Sequence, residues 1–164
     1  MFHATKKAMV YAAAAAVLCS GTAFAHHYEK GDLFIQHPWS RATPKSAEVG
    51  GGYMKIKNNG ASDDALLTVT SPVADRIEIH EMSMDNNVMK MREIKGPLNI
   101  PAHKEVDFSP NGLHIMFIKI KTPFVRGESF PATLHFQKAG DVDVKFAIDS
   151  MDATTSSDHR HGEH

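Results

Sequence analysis

Residues 76–94 read RIEIHEMSMDNNVMKMREI, and their alternation decides the fold class. In an extended strand, successive side chains point to opposite faces. Ile77 and Ile79 therefore take one face, and Arg76, Glu78, His80 and Met82 take the other. Asp85-Asn86-Asn87 separates two such alternating runs, the mark of a β-hairpin. With Asn86-Asn87 as a two-residue turn, Met84 faces Met89, Met82 faces Met91, and His80 lies diagonal to Met91. Directly opposed side chains sit about 5 Å apart and diagonal ones about 7–8 Å. His80, Met82, Met84, Met89 and Met91 then share one face, whereas a three-residue loop breaks that parity.

Outward from this hairpin the same short, alternating runs recur. Strands are expected at 32–37 (stopped by Pro38), 50–57, 65–70, 105–108, 113–121, 130–137 and 142–148. Asn58-Asn59-Gly60, Ser71-Pro72, Gly96-Pro97, Pro110-Asn111-Gly112 and Ala139-Gly140-Asp141 punctuate them. No window after residue 25 sustains a 3.6-residue period. Eight to ten short strands with regular turns argue an all-β domain, a sandwich or small barrel. A chain of 164 residues holds one such domain with a real core.

The ends read differently. Lys6 and Lys7, an apolar run from Ala8 to Leu18 and the sequence Ala23-Phe24-Ala25 predict a secretory signal peptide over 1–25. The apolar run is too short to span a membrane. Leu18 before Cys19 is not the small residue that a lipidation site wants. The expected domain covers 26–150, and 151–164 (MDATTSSDHRHGEH) reads as a disordered, His-rich tail. Cleavage after Ala25 shifts the formal charge from −1 to −3 and removes the only cysteine. A mildly acidic domain without a basic block gives no footprint for nucleic acid. Without cysteine there is no disulfide, no cysteine-ligated iron–sulfur cluster and no blue-copper centre.

Five of the nine methionines fall between residues 76 and 120, with His80, His103 and His114. His80-Glu81-Met82 and His114-Ile115-Met116 each aim an imidazole and a thioether the same way. Clustered methionine is ordinarily core filler or a greasy surface. Here His80 is on the more polar face, and two such triplets flank a methionine cluster. Zinc is normally held by Cys, His and carboxylates. Imidazole with thioether and no thiolate favours Cu(I). His114 and Met116 must come from a separate strand that closes the cluster from the far side. His37, beside Pro38 and the packing residue Trp39, is taken as structural, as are His103 and His135.

Gly31-Asp32-Leu33, His37-Pro38-Trp39 with Arg41-Ala42-Thr43, Gly51-Gly52-Tyr53, the His80 hairpin and Gly112-Leu113-His114-Ile115-Met116 resemble the periplasmic PCu(A)C copper chaperones. The likeness covers nearly all of the chain after the leader. It implies a cupredoxin-like Greek-key β-sandwich that binds one Cu(I). It also implies delivery of copper for the copper-A centre of cytochrome c oxidase, alongside Sco-type proteins. The family's metal motif is His, about ten residues, Met, about twenty-one residues, then His-x-Met. Here ten residues separate His80 from Met91 and twenty-two separate Met91 from His114, one more than the pattern. The ligands so implied are His80, Met91, His114 and Met116, with Met82 and Met89 as alternatives to Met91.

The histidine-bearing ends suggest a second metal. Cleavage would make His26 an N-terminal amine–imidazole chelate for Cu(II), next to His27. His159, His161 and His164 offer three more imidazoles for Cu(II). A copper carrier without catalytic turnover is the first expectation. A copper storage or resistance protein is a second. An oxidative copper enzyme with a His26 brace is a third, in which the methionines would have no role.

Overall fold

A computed structural model describes residues 27–155, and all of their regular structure is β. The leader, His26, His159, His161 and His164 lie outside the described residues. The strands are β1 (His27–Lys30), β2 (Leu33–Arg41), β3 (Val49–Asn58), β4 (Asp64–Thr70), β5 (Ala74–Asp85) and β6 (Val88–Glu93). They continue with β7 (Leu98–Ile100), β8 (Glu105–Phe108), β9 (Leu113–Ile120), β10 (Ser129–Phe136) and β11 (Gly140–Asp149). They form a single open sheet in the order β6-β5-β9-β8-β3-β2-β11-β10-β4-β7, with β1 added beside β2 and β9 also paired to β3. Neighbours are mostly not consecutive in the chain, so the connections cross over as a Greek key requires. The sheet curls until β4 and β5 line a common cleft through Leu67–Val69 and Ile77–Ile79.

Two short strands, β1 and β7, add to those legible in the sequence, and β2 runs past the expected stop at Pro38. The reason is a bulge. His37 adopts φ 46°, and the register against β3 shifts between Gln36 and Trp39. The irregularity takes the Pro38 nitrogen, which has no hydrogen to donate, out of the ladder, and pairing resumes at Trp39.

Alternation sends one face of each central strand into the core. Ile35, Met54, Ile56, Leu66, Ile79, Ile115, Leu134 and Phe146 are fully or nearly fully buried. Phe117 packs edge-on against Phe124, Phe130 and Phe146, with centroids 6.0, 5.1 and 5.7 Å away. Phe130 stacks on Phe124 and Phe146. A side chain at Gly50 would collide with the Phe124 ring, so a glycine there lets β3 lie close to this cluster. Burying such a ring contributes about 1.5–3 kcal/mol. Ile115 and Phe117 thus nail β9 to the core, and the alternation aims His114 and Met116 at the opposite face.

Candidate metal centre

Three adjacent strands build the centre. Asn86 and Asn87 both have positive φ, 47° and 62°, the signature of a two-residue type I′ turn. The β5–β6 register follows: Met84 opposes Met89, Met82 opposes Met91, and Glu93 opposes His80. On the other side of β5, His80 opposes His114 and Glu78 opposes Met116. His80, Met82, Met91, His114 and Met116 therefore lie on one face across β6, β5 and β9. His114 and Met116 come from the immediate neighbour of β5, so the cluster closes side by side along the sheet.

The two imidazoles lie next to each other on neighbouring strands. Their centroids are 5.8 Å apart. His114 is buried, and its Nδ1–H donates to the Gly112 carbonyl at 3.0 Å, which leaves the lone pair on Nε2. His80 donates Nε2–H to Glu78 Oε2 at 2.7 Å. Its Nδ1 then carries the lone pair, and that atom is buried without any partner. A buried polar atom without a partner is costly unless something arrives to satisfy it. A carboxylate behind the imidazole, with the other ring nitrogen open, is the arrangement that orients metal-binding histidines.

Glu78 also pairs with Arg76 Nε at 2.6 Å. The His80 hydrogen bond, aided by the Arg76 guanidinium and opposed by partial burial, holds the Glu78 carboxyl below its ordinary value. It remains an anionic acceptor behind the ring. Parity already put Glu78 on the His80 face; its orienting role was not legible, because that needs the side-chain contact. Gly112 was likewise visible as turn and motif but not as the acceptor that orients His114.

Beyond Met116 the face is walled by aromatic groups. Gly51 pairs with Met116, and a Cβ at Gly51 would sit 2.5 Å from the Tyr53 hydroxyl. Tyr53 thus lies over Gly51, with the Trp39 ring tilted against it at 4.6 Å. Burial raises the Tyr53 phenol above its ordinary value, and the nearby Arg41 charge partly offsets this.

Other candidates are not brought here. Met89 is further out on the ribbon, opposite Met84. His27 rests against Phe34 on β1, which pairs with β2. His135 is held by Thr70 and Asp141. Among the described residues, no three His, Cys, Asp or Glu side chains converge on a common point. The donor set is imidazole plus thioether, and it suits a soft monovalent ion.

Residues 33–148 match the family described as "Putative lipoprotein LpqE-like". A curated relative, "Putative lipoprotein Lxx21020" of Leifsonia xyli subsp. xyli, is 31% identical over 99 residues, 59% of this chain and 60% of that protein. The chain thus spans about three fifths of that relative's length. The solved apo PmoF2 PCuAC domain superposes with a TM-score of 0.67 at 25% identity, over 80% of this chain and all of that one. The copper-bound PCuAC domain from PmoF2 superposes with a TM-score of 0.65 at 26% identity, over 76% of this chain and 98% of that one. The all-β, cupredoxin-like fold expected from the sequence is the one found.

Proposed function

The chain belongs to the LpqE-like family, and we propose that it is a periplasmic copper carrier, not an enzyme, that holds one Cu(I) at His80, Met91, His114 and Met116. The observation that carries this is the buried, unpartnered Nδ1 of His80, directly across the sheet from His114 on a face of thioethers. The resemblance to a copper-bound PCuAC domain supports it. The described residues contain no helix long and apolar enough to cross a membrane, and the family's description as lipoproteins agrees with a place in the cell envelope.

His80 Nδ1, His114 Nε2 and two thioethers are all neutral donors. They take up Cu(I) at neutral pH with little proton release, and without thiolate the ion stays exchangeable. Glu78 would stabilise the charge gained by His80 on binding. Thioethers favour Cu(I) over Cu(II), so the site keeps copper reduced while it is carried. The acceptor we assign is the copper-A centre of cytochrome c oxidase, reached directly or with a Sco-type protein. The histidines at both ends would add Cu(II) binding.

X-ray absorption on the Cu(I)-loaded protein should count two nitrogen and two sulfur neighbours. A His114→Ala/Met116→Leu variant should lose stoichiometric Cu(I) while its far-ultraviolet β signal is kept. Stoichiometric Cu(I) binding in that variant overturns the assignment. Mixing the loaded protein with a soluble copper-A domain tests delivery: the acceptor should gain copper, and no transfer would remove this acceptor.

A further inference from the structure

The β5–β6 hairpin carries more thioethers than one Cu(I) can use. Its pairing with β9 ends at Glu81 opposite Leu113, and the Met82 N–H donates to the Gly112 carbonyl at 3.1 Å, so residues 83–90 project past β9 as a two-stranded ribbon. The ribbon sorts its side chains by face. Glu81, Ser83, Asp85, Val88, Lys90 and Arg92 occupy one side, where Lys90 pairs with Asp85 and Arg92 with Glu81 at 2.7 Å. The other side is Met82, Met84, Met89 and Met91 alone, with no charge until Glu93 at the base.

Apart from Met82, which is partly buried at the base, these methionines are not packing. Met84, Met89 and Met91 are 64%, 47% and 52% exposed, whereas Met54 in the core is 1% exposed. Their spacing is set by the turn. In a two-residue hairpin the residues beside the turn form a hydrogen-bonded pair, so Asp85–Val88 is one and Met84–Met89 and Met82–Met91 are not. The Ile94 N–H to Ile79 carbonyl bond of 2.8 Å agrees with this phase. Non-hydrogen-bonded positions bring opposed side chains closest, with Cα atoms about 4.5 Å apart. Each rung thus presents two flexible thioethers to one ion.

We propose that Met84 and Met89 form a second, weaker Cu(I) subsite at the ribbon tip. From it copper passes to Met82–Met91 and then to the two histidines, or leaves in the reverse order. Between rungs a Cu–S bond forms as another breaks, at the histidines a Cu–N bond forms as a Cu–S bond breaks, and copper remains Cu(I) throughout. Two thioethers hold the ion loosely enough to let it go, and the imidazoles at the base hold it more firmly. This inference rests on the histidine site described above as the ion's destination.

The test is a titration of the protein with Ag(I), a redox-inert soft ion, followed through 13C-labelled methionine methyls and histidine ring signals. The first equivalent should move His80, His114 and Met116, and the second should move Met84 and Met89. Met84→Leu/Met89→Leu removes both sulfurs from an exposed position yet keeps the apolar surface. It should keep the first equivalent, lose the second and load Cu(I) more slowly. Retention of the second equivalent by this variant, or unmoved Met84 and Met89 methyls in the parent protein, overturns the subsite. Slower delivery to an acceptor with both equivalents bound would make the ribbon a docking surface instead, and also overturns it. If the first equivalent leaves His80 and His114 unmoved, it is the histidine site that fails, a result distinct from the outcome at the tip.

Discussion

Two hairpins of this domain share a local plan and differ in what their faces meet. In β10–β11, Phe130 opposes Phe146, Ala132 opposes Val144 and Leu134 opposes Val142, all of them buried. Its turn is tied to the fold by the Asp64 carboxylate, which accepts the N–H groups of Lys138 and Ala139 at 2.8 and 2.9 Å. In β5–β6, every residue of β6 is exposed, and so are Asn86 and Asn87 of its turn. Packing selects aliphatic and aromatic side chains in the first hairpin. In the second, packing selects Ile77 and Ile79 at the base of β5 but nothing along β6, so its exposed thioethers need a chemical reason. Methionine in a strand is therefore read by where the strand lies in the sheet as well as by its own alternation.

The largest separation should come from truncation. Leu134→Ala in β10 should cost about 2–5 kcal/mol by transfer and cavity terms, and the folded fraction should still bind one Cu(I). Met84→Ala at the ribbon tip should change stability by no more than about 0.5 kcal/mol. Urea unfolding with parallel metal titration measures both. A loss above 2 kcal/mol at Met84 would show that the ribbon packs after all.

A glycine inserted between Asn86 and Asn87 should come next. The residues of β6 are exposed throughout, and the strand is tied to the core only at its base by Ile94, so the added residue should shift its register near the turn and move Met91 away from the His80 face. Cu(I) affinity should fall about tenfold or more, about 1.4 kcal/mol, with the thermal midpoint nearly unchanged. Undiminished affinity would mean that Met91 is not a ligand or that β6 holds its register without the turn.

Mild peroxide should oxidise Met84, Met89 and Met91 in the metal-free protein and spare Met54, without unfolding. Bound Cu(I) should shield Met91 and Met116. Peptide mass spectrometry reads each site, and equal oxidation with and without copper would remove Met91 from the ligand set.

The smallest effect is expected at the well-tied end. Asp63 accepts the Ala102 N–H at 2.9 Å and an Asn99 amide hydrogen, and these bonds lower its pKa from 3.8, the backbone bond foremost. A lowered folded value means that Asp63 adds stability above about pH 3.8, lost as the pH falls through the lower folded value. Asp63→Asn should make acid unfolding less steep below pH 4 and leave Cu(I) binding at neutral pH untouched. An unchanged acid limb would show that these bonds do not hold in solution.

The sequence by itself determined the β class, because period-2 alternation punctuated by turn residues admits little else. It made the methionine parity conditional on a two-residue turn, which Asn86-Asn87 can form because they tolerate positive φ, and the structure supplied that turn. The resemblance named His80, Met91, His114 and Met116 from spacing. Tertiary structure alone decided that β9 lies directly beside β5, because strand order is set by which faces share a core and not by any local pattern. It alone placed Glu78 behind His80 and Gly112 behind His114, since a hydrogen bond between side chain and partner has no periodicity to read. It alone left β6 uncovered at the sheet edge. A run of alternating methionines looks the same in a sequence whether a core or solvent faces it, and only the packing of the other ten strands tells the two apart.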